Sequence, residues 1–362
     1  MRKIFIAATK QNDGKTTVSL GIIKSLQQKF GKVGFIKPIG QRYLEEEGLK
    51  IDEDSILIEE VCGIKCGLKD MSPIAVEKGF TEKYITKPDK KNISGQIQNS
   101  FRRISKNQEL VVIEGTGHAG VGSVFDHSNA AVAKLLGSKV IIISSGGVGR
   151  PIDEIILNKA LFEKEGVKVL GVIVNKVLPD KFAKISGFVR KGLERKGIDV
   201  LGVLPYDPML ARPTIEQILE ETDFEVICGK EYLERSVAKV FVAAMEPADA
   251  VRYISEDSLM ITPGDREDMI MSALSCFRES GNKKLKVCGM VLSCGITPEA
   301  PVMNLLEKAQ IPVLLAKSDT YDVATCLHDL TVKIRPCDKD KIEAVVKLIQ
   351  ENVDFKKILK GI

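Results

Sequence analysis

No apolar run in this sequence reaches membrane-spanning length, because Lys, Asp or Gly interrupts each one, and residues 1–8 run straight into a strand without a signal-peptide pattern. The expectation is a cytoplasmic protein without a membrane partner. Charge of one sign is also scarce: 53 Lys and Arg stand against 49 Asp and Glu, a net charge of +4. Dispersed along the chain, that excess is too weak for a nucleic-acid face and leaves anionic small molecules open as ligands. Tryptophan is absent and Gly and Pro are at ordinary levels, while 44% of residues are apolar and 28% charged, which describes a soluble globular chain rather than a disordered one. The eight cysteines come with no export signal, so free thiols are expected rather than a disulfide framework. Cys62 and Cys66 have the spacing C-x3-C but no second pair or histidine beside them, which favours buried thiols over a metal site.

A length of 362 residues exceeds what one core usually serves, so two domains are expected. Short β-branched runs at 3–8, 33–36, 110–113, 140–144 and 169–174 read as buried parallel strands. Helical spacing at 16–30, 129–136 and 152–165 alternates with them and predicts a doubly wound α/β sheet with ligands at the strands' carboxyl ends. After a strand near Val200 and a helical stretch at 214–221, a second α/β rhythm begins. Strands are expected at 237–243, 258–262, 287–292 and 311–315, with helices at 266–278 and 300–310. The boundary is placed near residue 240, giving a nucleotide-binding domain over 1–240 and a smaller α/β domain over 241–362.

The first strand leads into Thr9-Lys10-Gln11-Asn12-Asp13-Gly14-Lys15-Thr16-Thr17, whose Gly-Lys-Thr-Thr run opens a helix. A helix start offers unpaired amides and a positive dipole end to phosphate. Gly14 lets the backbone approach, Lys15 brings a point charge to the terminal phosphates, and the Thr16 hydroxyl suits magnesium. Thr9 stands where the strict G-x4-G-K-[ST] pattern has glycine. The loop is similar to the deviant P-loops of the partition-ATPase and amide-synthase superfamily, which carry a second lysine five residues before the invariant one, the place of Lys10. That resemblance implies a phosphate contact from Lys10 across a homodimer interface.

Residues 35–40, Phe-Ile-Lys-Pro-Ile-Gly, and 112–118, Val-Ile-Glu-Gly-Thr-Gly-His, extend the likeness, as do Asp54, the Val174-Asn175-Lys176 strand end and the Gly202-Val203-Leu204-Pro205 turn. Together they resemble dethiobiotin synthetase and the cobyrinic acid amide synthases over roughly residues 1–240. The resemblance implies ATP bound by residues 11–17 with Asn175 and Pro205, magnesium held by Thr16, Asp54 and Glu114, and Lys37 facing the γ-phosphate with Lys15 and Lys10 in the phosphoryl-transfer machinery. A guanine site would need aspartate at position 178, which is Leu178, so ATP is expected over GTP. Departures are plain: residues 10–13 lack the acidic pattern of the synthetase loop, and Gly-Thr-Gly-His follows Glu114 where that family has Gly-Ala-Gly-Gly. His118 and His127 are candidates for acid-base work or for structural hydrogen bonding.

The second domain looks like a DRTGG domain, on residues 261–266, 291–295, 311–314 and 319–321. Cys294 departs from that family's Thr-Gly-Gly. Gly264, Asp265 and Arg266 suggest a tight turn, a helix N-cap and a carboxylate or phosphate contact. The two modules in this order resemble the amino-terminal part of long phosphotransacetylases, whose acyltransferase domain is not expected in a sequence that closes at Ile362. Two functions follow from the resemblance. One is a ligase in which ATP activates a small carboxylate or carbamate. The other is a nucleotide-responsive regulatory module with an acetate-metabolism enzyme as partner. Cys294 and His328 do not make an amidotransferase pair, so amidation would need a separate ammonia source.

Overall fold

The computed structural model describes residues 1–46, 48–279 and 287–362. It divides into two compact units, Met1–Asp207 with Ile334–Ile362, and Pro208–Lys333. This differs from the expected division near residue 240. The second unit starts some thirty residues earlier, and residues 334–362, assigned by sequence to the second domain, fold with the first.

The first unit is built on a six-stranded sheet: β1 (Arg2–Ala8), β2 (Val33–Ile36), β3 (Leu110–Glu114), β4 (Lys139–Ser145), β5 (Val169–Val177) and β6 (Val200–Pro205). Its order is β6-β5-β4-β1-β3-β2, and every pairing is parallel. Buried on both faces, these strands are the uninterrupted apolar runs seen in the sequence, Ile4 to Ala8 and Leu110 to Ile113 being wholly inaccessible. From β1 the chain goes to β2 at one edge, returns to β3 between them, then crosses to the other side of β1 and builds outward through β4, β5 and β6. The direction reverses beside β1, and the crevice at such a reversal is where open α/β sheets take their ligands.

Helix α1 (Lys15–Gln27) follows β1, capped by Gly14 at φ 92°. Helix α2 (Glu53–Cys62) starts at Asp52, whose side chain accepts the Asp54 amide, the ordinary service of an N-cap aspartate. Helix α3 (Lys90–Ser105) was not read from the sequence; it buries Ile93, Ile97, Ser100 and Ile104 along one stripe and leaves its other faces polar. Helices α4 (Asn129–Leu135), α5 (Arg150–Lys164) and α6 (Phe182–Glu194) follow the next three strands. Two more come from the far end of the sequence, α10 (Lys339–Asn352) and α11 (Phe355–Gly361). Helix α10 lies along α1, where a side chain at Gly21 would meet Ile349 Cγ1 at 2.4 Å, and the Asp354 amide donates to the Leu201 carbonyl over 2.7 Å. Val345, Ile349 and Ile358 are fully buried there, each contributing about 1.5–3 kcal/mol to the first unit's core.

The second unit has five strands, β7 (Glu225–Cys228), β8 (Lys239–Val242), β9 (Ser258–Pro263), β10 (Val287–Ser293) and β11 (Val313–Leu315), in the order β7-β11-β10-β9-β8. Strand β7, unforeseen in the sequence, pairs antiparallel with β11; the other pairings are parallel. Its longer helices are α7 (Glu267–Glu279), α8 (Ala300–Lys308) and α9 (Thr320–Asp329). Alternate residues of the strands feed two separate cores: Met260 and Leu292 join Ile270 and Leu306, while Leu259, Ile261 and Val291 join Ile215 and Val323. The helix at Ile215–Glu220 carries a reciprocal capping box between Thr214 and Gln217.

Candidate functional site

The segment joining β1 to α1 turns on two left-handed residues, Asn12 at φ 63° and Gly14 at φ 92°. Its shape is fixed from inside by Asp13, which is 1% exposed. Asp13 Oδ2 accepts the Thr9 hydroxyl at 2.7 Å and the Lys10 amide at 3.0 Å. Burial pushes the Asp13 carboxyl up, and these hydrogen bonds oppose the shift. From outside, Asn175 on β5 donates its side-chain amide to the Asp13 carbonyl over 2.9 Å, and Lys176 Nζ donates to the Asn12 carbonyl over 2.8 Å. Asn158 on α5 reaches the Thr9 carbonyl at 3.3 Å and takes the Ala119 amide at 2.7 Å. Asp13, Asn158, Asn175 and Lys176 thus brace the loop from both sides.

Asn175, which the resemblance places at the adenine, here meets the loop. It is buried, its amide is engaged with the loop, and its oxygen accepts the Lys176 amide at 2.9 Å. Pro205 closes β6 and lies outside these hydrogen bonds. Lys10, Gln11 and Asn12 are exposed, and Lys15, Thr16 and Thr17 are half-buried at the start of α1. Among the described residues, Lys15 makes no side-chain hydrogen bond or ion pair. Burial pushes its ammonium down, Glu114 pulls it up, and Lys37 adds to the depression.

The carboxyl ends of β2 and β3 bring a charged cluster to the same end of the sheet. Lys37, directly after β2, is 6% exposed. Its ammonium pairs with Asp54, lies 2.8 Å from Asp52 Oδ1 and 4.0 Å from Glu114 Oε1. Burial alone would lower the lysine's pKa, but Asp54, Asp52 and Glu114 raise it well above its ordinary value. Glu114 ends β3, accepts the Thr16 hydroxyl at 2.9 Å, and is wholly inaccessible. Burial, then the charge of Asp54, push its carboxyl up to about 7, with Lys37 opposing.

The oxygens named for magnesium, on Thr16, Asp54 and Glu114, do gather. Glu114 Oε2 is buried beside the Ser19 hydroxyl and makes no well-formed hydrogen bond among the described residues, which leaves it an acceptor suited to a cation. Among the same residues no three His, Cys, Asp or Glu side chains could hold a metal unaided. Magnesium takes one or two carboxylates and completes its shell with phosphate and water oxygens. Two carboxylates and a hydroxyl would hold it only together with a phosphate.

The histidines divide. His127 is buried between the Phe125 carbonyl, 2.7 Å from Nδ1, and Ser94 Oγ, 2.8 Å from Nε2, and burial lowers its pKa. Its hydrogen bonds tie α3 to the loop after β3, which is structural work. His118 is exposed, with Nδ1 accepting the Gly120 amide at 3.1 Å. In the second unit, α7 begins at Glu267, past the point where Asp265 would cap it. Arg266 turns back on Asp268, with Nε 2.9 Å from Oδ1, and on the Met245 carbonyl. The fork is thus engaged within its own unit.

Sequence reasoning missed Asp52, Asn158 and Lys176. Asp52 was visible as a helix start, since Asp52-Glu53-Asp54 before an apolar run is an N-terminal signature. That the same side chain meets Lys37 depends on how β2 is placed.

A parallel sheet with a Gly-Lys-Thr loop beside its reversal point, and carboxylates on the neighbouring strands, defines a P-loop domain of the nucleoside triphosphatase type, here with a second α/β domain. The profile of the AAA domain family (AAA_26) matches residues 2–214, more than half of the chain, and that of the DRTGG domain matches residues 217–330. The chain belongs to the AAA domain family, AAA_26, and carries a DRTGG domain, modules that suggest nucleotide binding and regulation. It is 27% identical over 372 residues to the phosphate acetyltransferase of Pseudomonas putida, and 25% identical over 364 residues to that of Synechocystis sp., covering 98% of this chain and 51% of the relative in each case. The chain thus spans about half the length of the curated relatives it matches. Among solved structures it is similar to the MinC:MinD cell division protein complex of Aquifex aeolicus, with 18% identity and a TM-score of 0.39 over 58% of this chain and 84% of that one. It is similar also to the CBS and DRTGG domains of the regulatory region of a Clostridium perfringens pyrophosphatase, with 18% identity and a TM-score of 0.28 over 49% of this chain and 85% of that one. Among the described residues, no helix is long and apolar enough to cross a membrane.

Proposed function

We propose that this protein binds Mg-ATP at the loop of residues 9–17 and acts as a nucleotide-responsive regulatory module. The observation that carries the reading is the joining of loop and carboxylates: the Thr16 hydroxyl, at the start of α1, donates to Glu114 at the end of β3 over 2.9 Å. The amides at the start of α1 and the ammonium of Lys15 receive the phosphates. Thr16, Asp54 and Glu114 would hold magnesium against them, and the ion would supply charge neutralisation of the phosphates. ATP and ADP differ in the charge they bring to this cluster, and a difference in affinity for two arrangements of the domain is all a sensor needs. The regulated partner is a protein of acetate metabolism, in keeping with the phosphate acetyltransferases that match the chain end to end over half their length. A second copy of the chain brings Lys10, exposed at the loop, to the neighbouring nucleotide.

A second reading is favoured by Lys37, a buried ammonium where charge would develop on a transferred phosphoryl group. In it, ATP phosphorylates a small carboxylate or carbamate. The two separate on turnover. Release of ADP from Mg-ATP is measured alone and with bicarbonate, beside calorimetric binding, for the native protein, Lys15→Ala and Lys37→Ala. Tight binding lost in Lys15→Ala, with negligible turnover, is the expected result. Turnover abolished by either substitution establishes the ligase instead, and native protein that binds neither ATP nor ADP removes both readings.

A further inference from the structure

We propose that Asp52 is a positioning residue for Lys37: it keeps the ammonium at the phosphate end of the sheet when a divalent cation takes the carboxylate of Asp54. The inference rests on the nucleotide-binding reading above and assigns a role to a residue outside the phosphate loop and the magnesium set.

Asp52 is fully buried, and one of its oxygens does two things. Oδ1 lies 2.8 Å from Lys37 Nζ and also accepts the Asp54 amide at 3.0 Å. The same turn fastens both partners. The Met71 carbonyl accepts the Lys37 backbone amide at 2.8 Å and the Ser55 hydroxyl at 3.2 Å, while Ser72 Oγ accepts the Asp52 amide at 3.0 Å. Asp52 is thereby fixed relative to Lys37 before any ligand arrives.

The charges give this geometry its consequence. Lys37 faces Asp54, Asp52 and Glu114. Two of these, Asp54 and Glu114, are the carboxylates suited to magnesium. A cation that engages them leaves Asp52 as the anion beside a lysine that is 6% exposed, and a buried ammonium without an anion is strongly disfavoured. With Asp52 present, lysine and divalent cation occupy the cluster together. Without its charge, Lys37 competes with the cation for Asp54.

The experiment is calorimetric titration of ADP at a series of magnesium concentrations and in EDTA, on the full chain, for the native protein, Asp52→Asn, Asp52→Ser, Lys37→Met and the Asp52→Asn/Lys37→Met double variant. Asn and Ser both retain an oxygen to cap α2, and thermal unfolding reports whether each variant folds. For either Asp52 variant, the magnesium concentration giving half of the full gain in ADP affinity rises about tenfold, the scale of a coupling between two sites, while affinity in EDTA is unchanged. In the Lys37→Met background, loss of Asp52 no longer shifts the midpoint, which a merely structural role would not produce. An unmoved midpoint in both Asp52 variants, or a shift that persists without Lys37, overturns the proposal and leaves nucleotide binding standing. Native protein that binds no ADP under any condition overturns the nucleotide reading and this proposal together.

Discussion

The side-chain amide of Asn175 donates to the carbonyl of Asp13 over 2.9 Å, so the end of β5 grips the phosphate loop from outside while the Asp13 carboxylate shapes it from within. Replacing Asn175 with Ala leaves a carbonyl in that clasp unsatisfied. The cost is about 1–3 kcal/mol of loop stability. Affinities for ATP and GTP then fall together, with their ratio unchanged, in competition binding. A selective loss of ATP affinity would instead restore the adenine contact implied by the dethiobiotin synthetase likeness.

Gly14→Ala tests the same clasp from the other side. At φ 92° an alanine is strained, and its Cβ would lie 2.3 Å from Asn175 Nδ2. Strain of this kind costs about 1–3 kcal/mol. Urea unfolding of the variant shows a lower midpoint, and phosphate binding at the loop is lost. A variant with native nucleotide affinity would mean that the loop does not need this conformation.

Glu114 makes the stability of the ligand-free protein depend on pH. Its carboxyl is pushed from an ordinary 4.5 up to about 7 by burial and by Asp54. A carboxyl raised on folding favours the folded state fully below the lower value, and the contribution is lost as pH rises through the upper one. Glu114→Gln cannot ionise. Its melting temperature relative to the native protein therefore climbs between pH 5 and pH 8 in EDTA. A difference that stays flat across that range contradicts the raised pKa.

Ile349 lies outside the residues matched by either family profile, yet it is fully buried against α1 beside Gly21. Ile349→Ala destabilises the first unit by about 2–5 kcal/mol, read from chemical denaturation. Gly21→Ala is damaging alone because its Cβ meets Ile349. Combined with Ile349→Ala it costs less than the sum, since the small side chain opens the space the new methyl needs. Strict additivity would show that the two helices do not meet there.

Much of this architecture was legible because buried parallel strands announce themselves. The runs at 3–8 and 140–144 correspond to β1 and β4, and Gly14-Lys15-Thr16 marks the turn between β1 and α1. The unit boundary was not legible, for a physical reason. The pattern of α10 says that one face is apolar but not which surface receives it, and proximity in sequence wrongly suggested the second unit. Strand β7 was hidden by its short, half-exposed run Glu-Val-Ile-Cys. In the site, Lys37, Asp54, Thr16 and Glu114 were named from sequence and do converge. Asp52 was not, because its contact with Lys37 joins residues fifteen positions apart through the placing of a turn at Met71 and Ser72.

The first unit is interrupted by Pro208–Lys333 and resumes at Ile334. The first unit therefore needs chain from both sides of that insertion, since α10 covers α1, whereas the DRTGG unit is one continuous stretch. A chain shortened before residue 334 would leave bare the face of α1 that Ile349 covers, so the stability of the phosphate loop is tied to residues more than three hundred positions away.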